Sequence, residues 1–96
     1  MTSKQRAYLK SLAMDQSAIL QIGKSSLTPE VCTAVSEALE KRELVKIGVL
    51  KNCLDDPKEI AAVMAERTHS QVVQVIGKKI VLYKKRKKDP KIVLPE

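Results

Sequence analysis

The sequence predicts an α+β two-layer sandwich whose four-stranded mixed sheet arises from the order α-β-α-β-α-β-β. Three observations carry this reading. Short runs of alternating apolar residues recur between stretches of helical periodicity. Two of the helices open on a capping residue followed by proline, at Thr28-Pro29 and Asp56-Pro57, a pairing that suits the first turn of a helix. Gly77-Lys78 separates the last two runs by a tight turn, which makes them a hairpin.

Taken in order, Ser3 is expected to cap a first helix from about Lys4 to Ala13, with Leu9, Leu12 and Ala13 as its apolar stripe. Lys4, Arg6 and Lys10 share its remaining circumference. Ala18 to Ile22 reads as a short strand. After the loop Gly23 to Leu27, the second helix runs from Thr28-Pro29-Glu30 to about Lys41 and buries Val31, Val35, Ala38 and Leu39. Glu43 to Lys51 is the clearest strand, because Val45, Ile47 and Val49 alternate with Leu44, Lys46 and Gly48. Asp56-Pro57 opens a third helix to about Arg67, with Ile60, Ala61 and Met64 inward. Gln71 to Ile76 and Lys79 to Lys84 form the closing hairpin. Two β-α-β crossovers imply parallel pairings of right-handed sense. Gln21, Lys46 and Gln74 fall opposite Val45, Ile47, Val49, Val73 and Val75, so one sheet face is expected to be less well covered, with helices two and three on the other.

A chain of 96 residues fits one domain, here residues 1–96 with a basic tail from about residue 85. No apolar run approaches the roughly 18 residues of a membrane span, so no membrane role is expected. Reading from Met1 gives no secretory leader, and a cytoplasmic location follows as the expectation. Cys32 and Cys53 are expected to be buried free thiols. With His69 the sole histidine, no metal site and no cofactor are expected.

The net charge is +7, and its placement is informative. Residues 1–77 hold ten Lys/Arg against nine Asp/Glu, whereas residues 78–96 hold eight against two. A run such as Lys84-Lys85-Arg86-Lys87-Lys88 repels itself and is best accommodated against a polyanion.

Gly23-Lys24-Ser25-Ser26 stands between a strand and a capped helix. The first turn of a helix offers unpaired N–H groups and a partial positive charge. Glycine lets a phosphate come close to the backbone, Lys24 adds a full charge, and Ser25, Ser26 and Thr28 offer hydroxyls.

Three separated segments place this loop in context: Gly23-Lys24-Ser25-Ser26-Leu27-Thr28, Ala38-Leu39-Glu40-Lys41-Arg42-Glu43-Leu44-Val45-Lys46-Ile47, and Gln74-Val75-Ile76-Gly77-Lys78-Lys79-Ile80-Val81-Leu82-Tyr83. Together, and in this order, they resemble the CRM domain (chloroplast RNA splicing and ribosome maturation), whose stand-alone bacterial form is the YhbY-type protein. The resemblance covers essentially the whole chain. It implies a βαβαββ core similar to the C-terminal domain of translation initiation factor three, preceded by one helix. It also implies an RNA-binding role on structured ribosomal RNA or the precursor of the large ribosomal subunit, assisting its assembly. The family loop reads Gly-x-x-Gly and is similar to the phosphate-clamping loop of KH domains. Gly23 matches its first glycine. Ser26 departs from the second, adding a Cβ where glycine allows a positive φ or a closer phosphate; the expectation is that its hydroxyl keeps the loop competent while the second helix supplies the other donors.

The expected RNA contacts are therefore Gly23, Lys24, Ser25, Ser26 and Thr28 at the loop, Lys78 and Lys79 at the hairpin, Lys84, Lys85 and Arg86 beyond it, and Lys4 and Lys10 on the first helix. Tyr8 and Tyr83 are the only aromatics and are expected in the core, which disfavours recognition by base stacking. An enzyme is not expected: Asp55-Asp56 is the only adjacent acid pair, and helix capping explains it. No small-molecule substrate is expected, and the chain is expected to be a monomer. The alternative reading is a protein-interaction module that docks its basic tail on an acidic partner.

Overall fold

Residues 1–96 are described by a computed structural model, in which seven elements follow one another: α1 (Ser3–Met14), β1 (Leu20–Ile22), α2 (Pro29–Arg42), β2 (Leu44–Val49), α3 (Pro57–Thr68), β3 (Gln71–Ile76) and β4 (Lys79–Tyr83). The caps explain the boundaries. Thr2, not Ser3, caps α1, because Gln5 lies three residues on and reciprocates: the Thr2 hydroxyl accepts from Gln5 N–H, and the Gln5 side chain accepts from Thr2 N–H. Thr28 and Asp56 cap α2 and α3, each followed by proline at the first helical position.

The sheet order is β1-β2-β4-β3. β1 and β2 pair in parallel, and β4 runs antiparallel to both β2 and β3. Only the first crossover thus makes a parallel pair of neighbours. The closing hairpin folds β4 into the gap between β2 and β3, so the second crossover yields parallel strands that do not touch.

One face of the sheet presents Ile22, Val45, Ile47, Val49, Ile80 and Leu82 to Val35 and Leu39 of α2 and to Ile60, Ala61 and Met64 of α3. This is the predicted sandwich. Val31 and Ala38 only flank that core, half-buried. The opposite face carries a second, smaller core, in which Leu9 and Ala13 of α1 lie on Leu44, Val73, Val81 and Tyr83, joined by Ile92 and Leu94 from the end of the chain. Val73 is on this face, and not beside Val75, because the β3–β4 register shifts between Val72 and Gln74. Arg6 Nη1 donates to the carbonyls of Val72 and Val73 at 2.7 and 3.0 Å, so α1 satisfies the acceptors that the bulge leaves free. Arg6 therefore leaves the solvent face that periodicity assigns to it. Tyr8 is exposed, contrary to the expected core position, whereas Tyr83 is buried. Both cysteines are free, Cys53 buried and Cys32 only half-buried.

Candidate functional site

The basic and loop residues singled out in the sequence divide between two ends of the sheet. At the end where β1 and β2 finish, Ser26 N–H closes a turn onto Gly23 O at 2.9 Å. Leu50 N–H donates to Ile22 O, and Val49 N–H donates to Lys78 O at 2.7 Å. These bonds set the Gly23–Ser26 turn and the Lys78–Lys79 corner on either side of the C-terminal end of β2. Gly77, at φ +54°, makes the corner possible.

Within the turn, Ser26 adopts φ +53°, the left-handed conformation that glycine takes without cost. At Gly23 the geometry is the reverse. Its φ is not left-handed, and a Cβ there would meet Asn52 Oδ1 at 3.5 Å, Leu50 Cδ1 at 3.6 Å and Asn52 Nδ2 at 3.9 Å, ordinary contacts. Folding does not demand glycine at position 23.

The helix mouth holds fewer donors than its sequence suggests. Pro29 has no N–H, and Val31 N–H is taken by the Thr28 hydroxyl at 3.1 Å. The N–H groups of Ser25, Leu27, Thr28 and Glu30 donate to no acceptor within the chain. On the α3 side, Asp55 and Glu59 line a cleft together with Ser25 and Ser26. Their carboxylates make that flank unfavourable to an anion. Lys10 joins this end, lining a cleft of about 230 Å³ with Lys46, Gln74 and Lys79 in which no carboxylate takes part. Lys46 Nζ is committed locally, donating to Ala13 O at 3.4 Å and Gln16 O at 3.3 Å where α1 ends.

The remaining predicted residues lie at the opposite end, beyond the C-terminus of β4. Lys84, Arg86, Lys87 and Lys88 surround Glu40 in a cleft of about 340 Å³. Lys85 turns toward Gln5 and Tyr83 on the α1 side. Lys4 is exposed in the first turn of α1, where its neighbour Gln5 donates to Pro95 O at 3.1 Å. The six residues of β2 put roughly 17 Å between the two ends.

Glu43 organises this second end, and sequence reasoning missed it. The residue is 0% exposed and stands between α2 and β2 at φ +63°. Its carboxylate accepts the backbone N–H groups of Lys91, of Ile92 at 3.1 Å and of Arg86 at 3.4 Å, while its own carbonyl accepts from Lys84 N–H at 2.9 Å. Burial, and then the negative charge of Glu43, push the Tyr83 hydroxyl above the ordinary tyrosine range. The available signal was an acid placed directly before an apolar strand in a chain that ends basic. Its partners, more than forty residues away, left no local trace.

Comparison with known proteins bears on the chain as a whole. The family described as CRS1 / YhbY (CRM) domain matches residues 1–84. The "Probable RNA-binding protein YqeI" of Bacillus subtilis is 41% identical over 95 residues, covering 99% of each chain. An "RNA-binding protein" of Haemophilus influenzae is 30% identical over 95 residues, covering 99% of this chain and 95% of the other. The solution structure of the hypothetical protein SAV1595 from Staphylococcus aureus superposes with a TM-score of 0.84 at 44% identity, covering 99% of each chain. The names of the two sequence relatives describe RNA binding, not enzymes. No helix of the chain is long and apolar enough to cross a membrane.

Proposed function

The chain belongs to the CRS1 / YhbY (CRM) domain family, and from that premise we propose that it binds structured ribosomal RNA and assists assembly of the large ribosomal subunit. The observation that carries this reading is the placement of Lys24, Lys78 and Lys79 at one end of the sheet, with Lys10 beside Lys79, where the N–H groups of Ser25, Leu27, Thr28 and Glu30 have no acceptor in the chain. Gly23 strengthens it. A residue that folding leaves free to carry a side chain, yet carries none, keeps the backbone open to something outside the chain.

Attachment is electrostatic, with phosphates held by Lys24, Lys78, Lys79 and the open N–H groups, while Asp55 and Glu59 keep an anion off the Ser25 and Ser26 side of the turn. Selectivity comes from the shape of the RNA, since Tyr8 is the one exposed aromatic and sequence reading by stacked bases needs several. The protein acts as a monomer on this reading, needing no cofactor.

The test is charge reversal at Lys24, Lys78 and Lys79 with the fold checked by circular dichroism. RNA retained on a filter falls at least tenfold if the reading holds; unchanged retention refutes it. With about five phosphates neutralised, log affinity falls against log salt with a slope of roughly −3.5 to −4.5. Crosslinking in cells distinguishes the target: mainly large-subunit ribosomal RNA supports the assembly role, and a random transcript sample rejects it. Absorbance at 260 nm that copurifies, and that nuclease and high salt remove, separates RNA binding from docking on an acidic protein.

A further inference from the structure

We propose that residues 84–88, shaped around the buried Glu43, form a second phosphate-backbone site, and that one RNA segment spans the sheet to engage both ends. The inference rests on the RNA-binding reading above and adds to it the second site, its organising residue and the length of RNA required.

Lys84, Arg86, Lys87 and Lys88 face one carboxylate, Glu40, across a single cleft. Four cations on a free tail would spread apart, because like charges repel and the chain gains entropy by loosening. Here the backbone that carries them is fixed at several points. The Glu43 carboxylate holds the N–H groups of Arg86, Lys91 and Ile92, and its carbonyl holds Lys84. Asp89, at φ +52°, reverses the chain between these points. Ile92 and Leu94 then pack on the second core, and Gln5 holds Pro95. Taking a carboxylate wholly out of water is costly unless its lone pairs are met. The fold meets them with N–H groups of the tail and leaves four neighbouring cations against the single carboxylate of Glu40 at the surface.

Such an arrangement suits an anion with repeated charges. A single anion site at the Gly23–Ser26 turn would not need it, since β2 separates the two by roughly 17 Å. Two weak sites joined by a rigid span behave as a bivalent binder: an RNA that reaches both gains about 10²- to 10⁴-fold over one that reaches either. Glu43 is a positioning residue in this scheme and does not touch the RNA.

The experiment uses the full chain, an RNA hairpin of about 16 base pairs and an RNA of about four nucleotides, sizes that reach across or occupy one end. The near-end variant carries Lys24→Glu and Lys78→Glu; the far-end variant carries Arg86→Glu, Lys87→Glu and Lys88→Glu. Each is expected to lose about a hundredfold on the hairpin and much less on the short RNA. The far-end variant also flattens the salt slope by roughly 2 to 3. Loss at the near end alone overturns the second site and leaves the RNA-binding reading standing. No loss in either variant sinks that reading itself. Equal loss on both probes overturns the spanning geometry, and displacement of the hairpin by poly-glutamate at matched charge assigns the far end to an acidic protein instead. Glu43→Gln adds a sharper readout. Removing a negative charge should tighten RNA binding if the tail is merely electrostatic, and should weaken it by tenfold or more if the carboxylate sets the site. The far-end variant keeps the proposal testable should Glu43→Gln fail to fold.

Discussion

At the end of the sheet that holds Gly23 and Ser26, a turn hangs on one backbone hydrogen bond and leaves several N–H groups without acceptors. At the other end, residues 84–92 are gathered by a carboxylate that is wholly buried. Both ends are cationic at the surface. The first stays open by omission, with no side chain at Gly23 and N–H donors that the fold does not consume. The second is held by commitment, since its cations sit on a backbone that cannot move without stranding a buried charge. The difference teaches that affinity for a polyanion can be built with little internal cost or with a large one, and that mutation separates the two cases.

The largest effect should come from Glu43→Ala. It strands the N–H donors that now meet the carboxylate and releases the segment that completes the second core. A loss of about 3 kcal/mol or more is expected in urea unfolding, with a lowered midpoint. A loss below about 1 kcal/mol would show that the tail finds water as readily as it finds Glu43, and the contrast between the ends would collapse.

Gly23→Ala tests the open end in the opposite sense. The added Cβ meets ordinary contacts, so stability should shift by no more than about 0.5 kcal/mol. The same methyl stands where a phosphate would approach the backbone, and RNA affinity should fall about tenfold by titration, near 1.4 kcal/mol. If stability falls and affinity holds, Gly23 is a folding residue and the open end loses its argument.

Alkaline pH gives a smaller effect, specific to the committed end. Tyr83 is buried, its hydroxyl has no partner, and burial and then Glu43 raise its pKa. A tyrosine whose folded pKa lies above the unfolded value supports the fold fully below the unfolded value, about 10, and that support fades as pH rises through the folded value. Thermal stability of the wild type should therefore decline above about pH 10 more steeply than that of Tyr83→Phe. Parallel profiles would place the hydroxyl in contact with water.

Much of this was legible in the sequence where the signal was local. Thr28-Pro29 and Asp56-Pro57 fixed two helix starts, the Val45-Ile47-Val49 alternation fixed the central strand, and Gly77 fixed the hairpin. The α1 cap moved by one residue because the reciprocal Gln5 contact outweighs the nearer serine. What escaped was long-range. Arg6 reads as a solvent cation until a bulge at Val73 supplies carbonyls for it, and Glu43 reads as a strand-edge acid until the chain returns more than forty residues later. The same limit hid the division of the basic residues between two ends. Periodicity assigns each cation to an element, but only the antiparallel pairing of β4 with β2 brings the Lys78–Lys79 corner to the end of β2 where the Gly23–Ser26 turn lies.

Ser26→Gly should give the smallest effect and bears on whether the open end is already in its working shape. Serine at φ +53° carries a left-handed penalty of about 1 kcal/mol, which glycine removes. Glycine also loosens the unfolded chain, offsetting roughly half of that or more. Unfolding should show a gain of no more than about 0.5 kcal/mol. Serine already holds position 26 in the left-handed conformation that glycine would take, so RNA affinity should rise by less than tenfold. A rise of tenfold or more would mean that the serine Cβ, and not the backbone conformation, stands between the phosphate and its donors. The open end would then be half closed, and the committed end would carry most of the binding.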